Sequence, residues 1–236
     1  MADALGYTET LIEDSEENQN YLAELNKGIE ISVGFLESDA WRNKTGGWKL
    51  ENEDKESGDK IYSVQSSAHG KVFGAEAVLV LPGYTLSSLF EEVYHKIEDI
   101  PKWSPDCIEY RKLKDVGQQT DVTYAAMPDL FGGLVKSRDI VDVRCWRKTG
   151  DSRFDLVSRS VVCSLCEPRK DRTRAEKLFE HVIIQTTDQP DTFKWTWCHR
   201  FDMKGMLPKA LVDRVTHYMM LNYLKLLRKH LQECNP

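Results

Sequence analysis

The sequence is poor in the residues and patterns that mark several broad protein classes. It has 14 Gly and 8 Pro among 236 residues, which excludes a collagen-like or low-complexity chain. Its longest apolar runs, such as residues 77–82, fall far short of the roughly 20 residues that cross a bilayer. Acidic residues outnumber basic ones by 38 to 32, so the chain lacks the positive charge typical of a nucleic-acid-binding protein.

The N-terminal region lacks positive charge altogether. The first 26 residues contain no Lys or Arg, which is the opposite of a secretory or mitochondrial leader and predicts a cytoplasmic protein. We expect residues 1–18 to form an acidic, flexible leader and residues 19–236 to form one domain. The six Cys do not show the regular pairing along the chain that a disulfide framework would have, which indicates reduced thiols.

The common catalytic and cofactor-binding motifs are also missing. The sequence has no GxSxG, HExxH, P-loop or GxGxxG motif. Cys163 and Cys166 have the CxxC spacing of a zinc pair, but a structural zinc ion needs four ligands and no second pair accompanies them. Among six scattered His, only His199 is a candidate for a polar contact inside a cavity. We therefore predict no catalytic residue, metal or cofactor.

Hydrophobic periodicity predicts an α+β fold. An amphipathic helix begins near Gln19, a shorter helix covers residues 87–97, and a helix of about 24 residues follows Pro208. Strand-like runs occupy most of the remaining chain, and the order of the first three predicts an antiparallel meander. The predicted strands cover residues 48–52, 60–66, 71–81, 107–116, 121–127, 139–147, 153–163, 179–187 and 192–202.

Two observations indicate that the folded chain has an interior with space for a cavity. The last predicted strand alternates bulky residues with smaller or polar ones, so its bulky face should look inward. A chain of this length buries roughly 73% of its surface on folding, enough for a full core with space for a cavity. The bulky face consists of Trp195, Trp197, His199 and Phe201.

A series of short motifs, in one order along the chain, resembles the START (StAR-related lipid-transfer) domains and within them the sterol-binding subgroup. The resemblance runs from Tyr21 to Cys234. One motif departs from the subgroup, because Trp103-Ser104-Pro105 stands where Trp-Asn-Pro is usual. The other motifs are residues 47–51, 58–63, 70–73, 137–144, 174–176, 202–208 and 227–231.

The resemblance implies a helix-grip fold, in which a curved antiparallel sheet of about nine strands closes with the C-terminal helix around a lipid tunnel. It implies a non-enzymatic protein that transports one sterol and contacts membrane surfaces transiently, and we expect a monomer. Alternatives are an invertebrate carotenoid-binding member, a helix-grip enzyme using Asp142 and His199, and an interaction module. The loop at residues 128–136 would be a movable lid, with lid residues Asp129, Leu130, Phe131, Gly132 and Gly133.

The subgroup also places an arginine inside the tunnel, at the position of Arg144, to meet the sterol hydroxyl. Its usual acidic partner falls at Ala125 here, and an unpaired buried guanidinium is costly. We expect Asp142 to be the partner, with Asp129 as second choice. Hydrophobic pattern alone would put Arg144 outside; the resemblance reverses this. The predicted lipid-binding residues are Arg144, Asp142, Ile140, Thr123, Ala125, Met127, Ser158, Ser160, Trp195, Trp197, His199, Met219 and Tyr223.

Overall fold

The computed structural model describes residues 2–234, which form a ten-stranded sheet and five α-helices. The helices are α1 (Glu16–Leu36), α2 (Asp39–Asn43), α3 (Leu86–Phe90), α4 (Ile100–Trp103) and α5 (Lys209–Glu233). The strands are β1 (Lys49–Glu53), β2 (Lys60–Ser66), β3 (Gly70–Val80), β4 (Glu109–Asp115), β5 (Thr120–Met127), β6 (Arg138–Thr149), β7 (Arg153–Ser160), β8 (Thr173–Arg174), β9 (Glu176–Thr186) and β10 (Thr192–Asp202).

The sheet has the order β1-β2-β3-β10-β9-β7-β6-β5-β4, and neighbours on this path pair antiparallel. The two-residue strand β8 was not predicted, and it pairs parallel with β6. The α+β helix-grip architecture that the resemblance implied is confirmed, with α5 lying against the concave face of the sheet. The predicted terminal helix and the nine longer strands are all present, with boundaries that shift by a few residues.

The central strands β5 and β6 are buried on both faces, which explains why they are hard to interpret by alternation alone. Helix α1 covers the outer face, where Tyr21, Leu25 and Ile29 pack in one cluster with Val141 and Val143 of β6. Residues of β6 that alternate with these point toward α5. Each face of this strand therefore excludes water, and the outer face carries a continuous apolar stretch from Val141 to Cys145.

The N-terminal segment differs from the flexible leader that its composition predicts. Helix α1 begins at Glu16, three residues earlier than expected, because the Ser15 hydroxyl caps it by accepting the Asn18 N–H (3.3 Å). Before the helix, Asp3 (2.9 Å) and Glu9 (3.4 Å) both form ion pairs with Arg147, and all three side chains are buried. Two of the acidic residues from which composition predicts a flexible segment are therefore neutralised by an arginine that is distant in the sequence.

The connection between β3 and β4 is more broken than the single helix predicted over residues 87–97. Thr85 and Ser88 form a reciprocal cap for α3, which passes directly into one π-helical turn at Glu91–His95. A short 3₁₀ turn and α4 complete the connection. This segment places the Tyr94 ring against the inner side of β6. Among the described residues, no helix combines the length and the apolar character needed to cross a bilayer.

Candidate functional site

An internal cavity of about 240 Å³ lies between the concave face of the sheet and α5. Its wall is mostly apolar. Most of the predicted lipid-binding residues contribute to it, namely Ala125, Met127, Ile140, Asp142, Arg144, Ser158, Trp195, Trp197, Met219 and Tyr223. Thr123, Ser160 and His199 do not line it.

Arg144 lies inside, and its partner is Asp121. The guanidinium Nε and Nη2 donate to the two carboxylate oxygens of Asp121 at 2.6 and 2.9 Å, a bidentate pair that is among the strongest polar contacts in proteins. The Tyr94 ring lies 4.0 Å from the guanidinium carbon. The expectation that Asp142 or Asp129 would take this place was wrong.

The register of the β5–β6 hairpin explains the pairing. Asp121 lies directly opposite Arg144, and Ala125 lies opposite Ile140. An acid at position 125 would thus sit further along the strand than the one that is present. Alternation along β5 places Asp121 on the same strand face as Ala125, so Asp121 was a possible partner from the sequence alone. Choosing it required the register between β5 and β6.

The guanidinium is charged and retains binding capacity. Burial alone would lower the pKa of Arg144, but Tyr94, Tyr110 and Asp121 together raise it above its ordinary value. Its Nη1 makes no hydrogen bond to any residue in the described range 2–234. Because Arg144 lines the cavity, this nitrogen is free to donate to a ligand oxygen.

A second polar cluster on the cavity wall contains Asp142, the predicted partner of Arg144. The Lys177 ammonium donates to Asp142 (2.7 Å), Glu180 (2.6 Å) and the Ser158 hydroxyl (3.1 Å). Glu180 also accepts from Ser158 (3.1 Å) and from the Trp197 indole N–H (3.0 Å). We call Asp142, Lys177 and Glu180 the lysine cluster.

The sequence reading missed Lys177 and Glu180, because their spacing of three residues places them on opposite faces of a regular strand. A bulge in β9 changes this. Arg200 pairs with Phe179 and Phe201 pairs with Lys177, so Leu178 is an extra residue without a partner. The bulge turns Lys177 and Glu180 to the same face. No pattern in the neighbouring sequence predicts the bulge.

The three predicted residues outside the wall have other contacts. Thr123 is buried on β5, opposite Asp142. The Ser160 hydroxyl donates to Asp142 at 2.7 Å and so helps to hold the carboxylate of the lysine cluster in place. His199 lies 3.3 Å from the Met220 sulfur, and burial lowers the pKa of its imidazole to about 4. Asp142 and His199 do not contact each other, so the pair that an enzyme would need is not assembled.

The loop predicted to be the lid, residues 128–136, contains three consecutive residues with left-handed backbone geometry. Phe131, Gly132 and Gly133 all have positive φ (51°, 66° and 87°), a backbone region that only glycine enters easily. Leu130 is buried in a cluster with Val215 of α5. Outside this cluster the loop is held by Asp129, which accepts from Lys136 (3.1 Å) and from the Ser137 N–H (2.7 Å).

A Ser–His–Asp chain is present, but on the other face of the sheet. His181 contacts the Ser32 hydroxyl at 2.9 Å and Asp155 at 2.8 Å, and all three residues are buried beneath α1. Burial alone would raise the pKa of Asp155, but hydrogen bonds from His181 and Arg153 lower it. This chain of contacts ties α1 to the sheet.

Comparisons with known proteins agree on one family. The family described as "START domain" matches residues 37–236. The human steroidogenic acute regulatory protein, mitochondrial, is 29% identical over 225 residues, which cover 95% of this chain and 74% of that protein. The cattle (Bos taurus) protein of the same name is 28% identical over 221 residues, covering 93% and 74%.

Two solved human structures have the same fold. StAR-related lipid transfer protein 5 superposes with a TM-score of 0.78 at 18% identity and covers 91% of this chain and 99% of its own. STARD10 superposes with a TM-score of 0.68 at 22% identity and covers 96% of this chain and 83% of its own.

Proposed function

Because this chain belongs to the START domain family, we propose that it is a non-enzymatic lipid carrier that holds one sterol molecule in the cavity beneath α5. The names of two similar proteins, a steroidogenic acute regulatory protein and a lipid transfer protein, support a lipid as the class of ligand. The identity of that lipid is inferred from the cavity wall.

The observation that carries the proposal is an apolar cavity with a charged donor aimed into it. Burial of hydrocarbon surface gains about 25 cal/mol per Å², so the apolar wall supplies the binding energy. The free Nη1 of Arg144 fixes orientation by donating to a single oxygen. A sterol, with a rigid hydrocarbon body and one hydroxyl, matches this division.

A carotenoid is the alternative ligand, and the pair at Arg144 favours the sterol. The case for a carotenoid depended on the missing acid at Ala125, which would leave space and an incomplete polar site. Asp121 supplies that acid from four residues earlier on the same strand. A complete polar site is of most use to a ligand whose hydroxyl it can orient.

Ligand exchange requires the cavity to open. Its volume of about 240 Å³ lies below the 300–1,000 Å³ usual for ligand pockets, so a sterol must displace wall elements as it enters. The lid and the first half of α5 are the proposed moving parts. The second half of α5 is anchored, since Tyr84 donates to the Leu231 carbonyl (2.9 Å) and Arg228 pairs with buried Asp59.

Opening at a membrane surface is supported by the side chains near the lid. Leu134 is 70% exposed, Met206 is fully exposed, and the lysines at positions 136 and 204 lie beside them in the chain. Because Lys136 is paired with Asp129 and Lys204 with Glu176, the exposed apolar side chains rather than free charge would make the contact. We propose transient contact of this surface with membranes. The six cysteines are free, which supports a reducing compartment such as the cytoplasm.

Filling the cavity tests the proposal directly. Ala125→Phe places an aromatic ring in the cavity, so we expect cholesterol binding to fall at least tenfold while the fold is retained. The matched control, Ala68→Phe, adds the same ring at an exposed turn and should bind like wild type. Equilibrium binding and sterol transfer between vesicles measure both variants, with circular dichroism as the check on folding.

Two results would contradict the carrier proposal. One is unchanged cholesterol binding in a folded Ala125→Phe variant, which would place the ligand elsewhere. The other is failure of the wild-type protein to bind any sterol. Retention of a coloured ligand by the wild-type protein, with no affinity for cholesterol, would favour the carotenoid alternative.

A further inference from the structure

We infer that the lysine cluster is a second ligand-binding subsite, which accepts a hydrogen bond from a second hydroxyl on the ring system of a neutral sterol. This inference rests on the proposed function and names the kind of sterol more closely. The cluster lies on the same cavity wall as Arg144 but is a separate group of residues.

The two polar sites are close together. Asp142 and Arg144 are two residues apart on β6, which places their Cα atoms about 7 Å from each other on one face. The lysine cluster then extends across the sheet, because Ser158 pairs with Arg144 on one side and with Glu180 on the other. The ring system of a sterol therefore spans the distance between Arg144 and the lysine cluster. A hydroxyl at the end of the sterol side chain lies too far from Arg144 to reach the lysine cluster.

The charges of the two sites differ. Asp121 and Arg144 neutralise each other, but the lysine cluster sets two carboxylates against one ammonium, so one negative charge remains. Burial alone would raise the pKa of Glu180, but Lys177 lowers it below its ordinary value, so the carboxylate is ionised. A buried excess charge is unfavourable unless donors surround it. The cavity therefore attracts donors and repels anions at this place.

The hydrogen bonds of the cluster leave acceptor capacity over the cavity. The three N–H donors of the Lys177 ammonium are matched by three acceptors in the cluster, so none remains for a ligand. A carboxylate accepts about four hydrogen bonds, and Asp142 receives only those from Lys177 and Ser160. Within residues 2–234 no further donor reaches it, although it lines the cavity.

Two tyrosine hydroxyls complete the recognition of a hydroxyl group. Tyr110 and Tyr223 line the cavity and make no hydrogen bond to the described part of the chain. Burial raises the pKa of Tyr110, while the charges of Arg144 and Lys177 counter this. A ligand hydroxyl between Tyr110 and Asp142 would accept from one and donate to the other.

Four sterol probes test the inference on the full-length protein: cholesterol, a sterol with a second hydroxyl on the rings, a sterol with a second hydroxyl at the end of the side chain, and cholesterol sulfate. We expect the ring-hydroxylated sterol to bind about tenfold more tightly than cholesterol, the value of one hydrogen bond to a charged group. The side-chain-hydroxylated sterol should bind like cholesterol, and the sulfate at least tenfold more weakly.

Glu180→Gln removes the excess charge and keeps an acceptor for Trp197. We expect it to strengthen binding of the sulfate, because the net negative charge is gone. Asp142→Ala removes the acceptor itself and should reduce the preference for the ring-hydroxylated sterol to less than threefold. Glu176→Gln is the matched control, because Glu176 lies on the same strand but pairs with exposed Lys204. It should keep the wild-type preferences.

The results separate this inference from the proposed function. Equal wild-type affinity for cholesterol and the ring-hydroxylated sterol overturns the inference alone, as does a preference that survives Asp142→Ala in a folded protein. Failure of the wild-type protein to bind any of the four probes overturns the proposed function and the inference together. The wild-type panel needs no variant, so the test stands even if Glu180→Gln does not fold.

Discussion

Arg144 illustrates how a single side chain can satisfy two opposing rules. Its neighbours Val141 and Val143 form an apolar face, and by pattern they should be the buried ones, with the arginine outside. Both sets are buried, because α1 covers one face of the strand and the cavity lies on the other. The guanidinium tolerates this position because Asp121 neutralises it and Tyr94 covers it.

Removing either member of this pair should cost more than removing both. Arg144→Leu leaves the Asp121 carboxylate buried and unpaired, and Asp121→Leu leaves the guanidinium in the same state, so we expect each to cost about 3–5 kcal/mol. The double variant should be more stable than the sum of the single effects predicts. Urea unfolding of the four proteins gives the coupling energy, and strictly additive effects would mean that the two residues do not interact.

The same arginine should distinguish ligands. If its free Nη1 donates to the sterol hydroxyl, Arg144→Leu in a folded protein weakens binding of a sterol more than binding of the hydroxyl-free hydrocarbon. Equal losses for the two ligands would mean that the arginine only supports the fold.

His199 makes a prediction about pH. Burial lowers the pKa of its imidazole from 6.5 to about 4, and the charged groups that face it are Glu180, Lys177 and Arg200. Between these pH values the imidazole is protonated in the unfolded chain but neutral in the folded protein. The stabilisation is fully present above pH 6.5 and is lost as pH falls to 4. The loss amounts to about 3 kcal/mol.

The comparison of two variants isolates this effect. Measured by urea unfolding from pH 7 to 4, His199→Leu should lose that much less stability than wild type. His95→Leu, at an exposed position, should follow wild type. A wild-type slope in the His199→Leu protein would contradict the assignment.

Elements were predictable in proportion to their length and regularity. The long helix α5 and strands such as β10 have strong periodicity, which tertiary contacts do not override. The short pieces between β3 and β4 do not, because a π-helical turn and a 3₁₀ turn interrupt the helical spacing. The bulge in β9 was invisible for the same reason: one extra residue reverses the alternation, and only pairing with β10 reveals it.

The N-terminal segment shows the limit of composition as a guide. Its acidic residues suggest a solvated tail, yet the structure uses Asp3 and Glu9 to neutralise Arg147, whose guanidinium also lies 4.1 Å from the Tyr7 ring. Glu9 further accepts from the Gln118 N–H (3.0 Å) at the turn before β5. Long-range neutralisation of this kind leaves no local pattern.

Arg147→Met tests whether the segment is part of the folded domain. It leaves Asp3 and Glu9 buried without a counter-charge, so we expect a loss of about 3–5 kcal/mol in the free energy of unfolding. Arg111→Met breaks an exposed ion pair with Glu109 and should cost less than about 1 kcal/mol. If both variants lose the same small amount, residues 1–18 are the flexible leader that composition predicts.

At the scale of the whole molecule, the fold was accessible from the sequence and the details of the cavity were not. The order of motifs along the chain was enough to identify the sheet and the terminal helix. Which polar groups meet inside depends on strand register across four strands, so Asp121, Lys177 and Glu180 could not be chosen in advance. The apolar part of the wall was predictable because alternation places Trp195 and Trp197 together.

The central claim is that one neutral sterol occupies the cavity beneath α5. Native mass spectrometry of the protein purified from its own source tests it most directly, with the ligand released and identified by its mass. We predict a single bound molecule per chain with the mass of a sterol, which is absent from the Ala125→Phe variant expressed in the same cells. A protein that carries no ligand, or one that carries an equal load in both forms, would contradict the account.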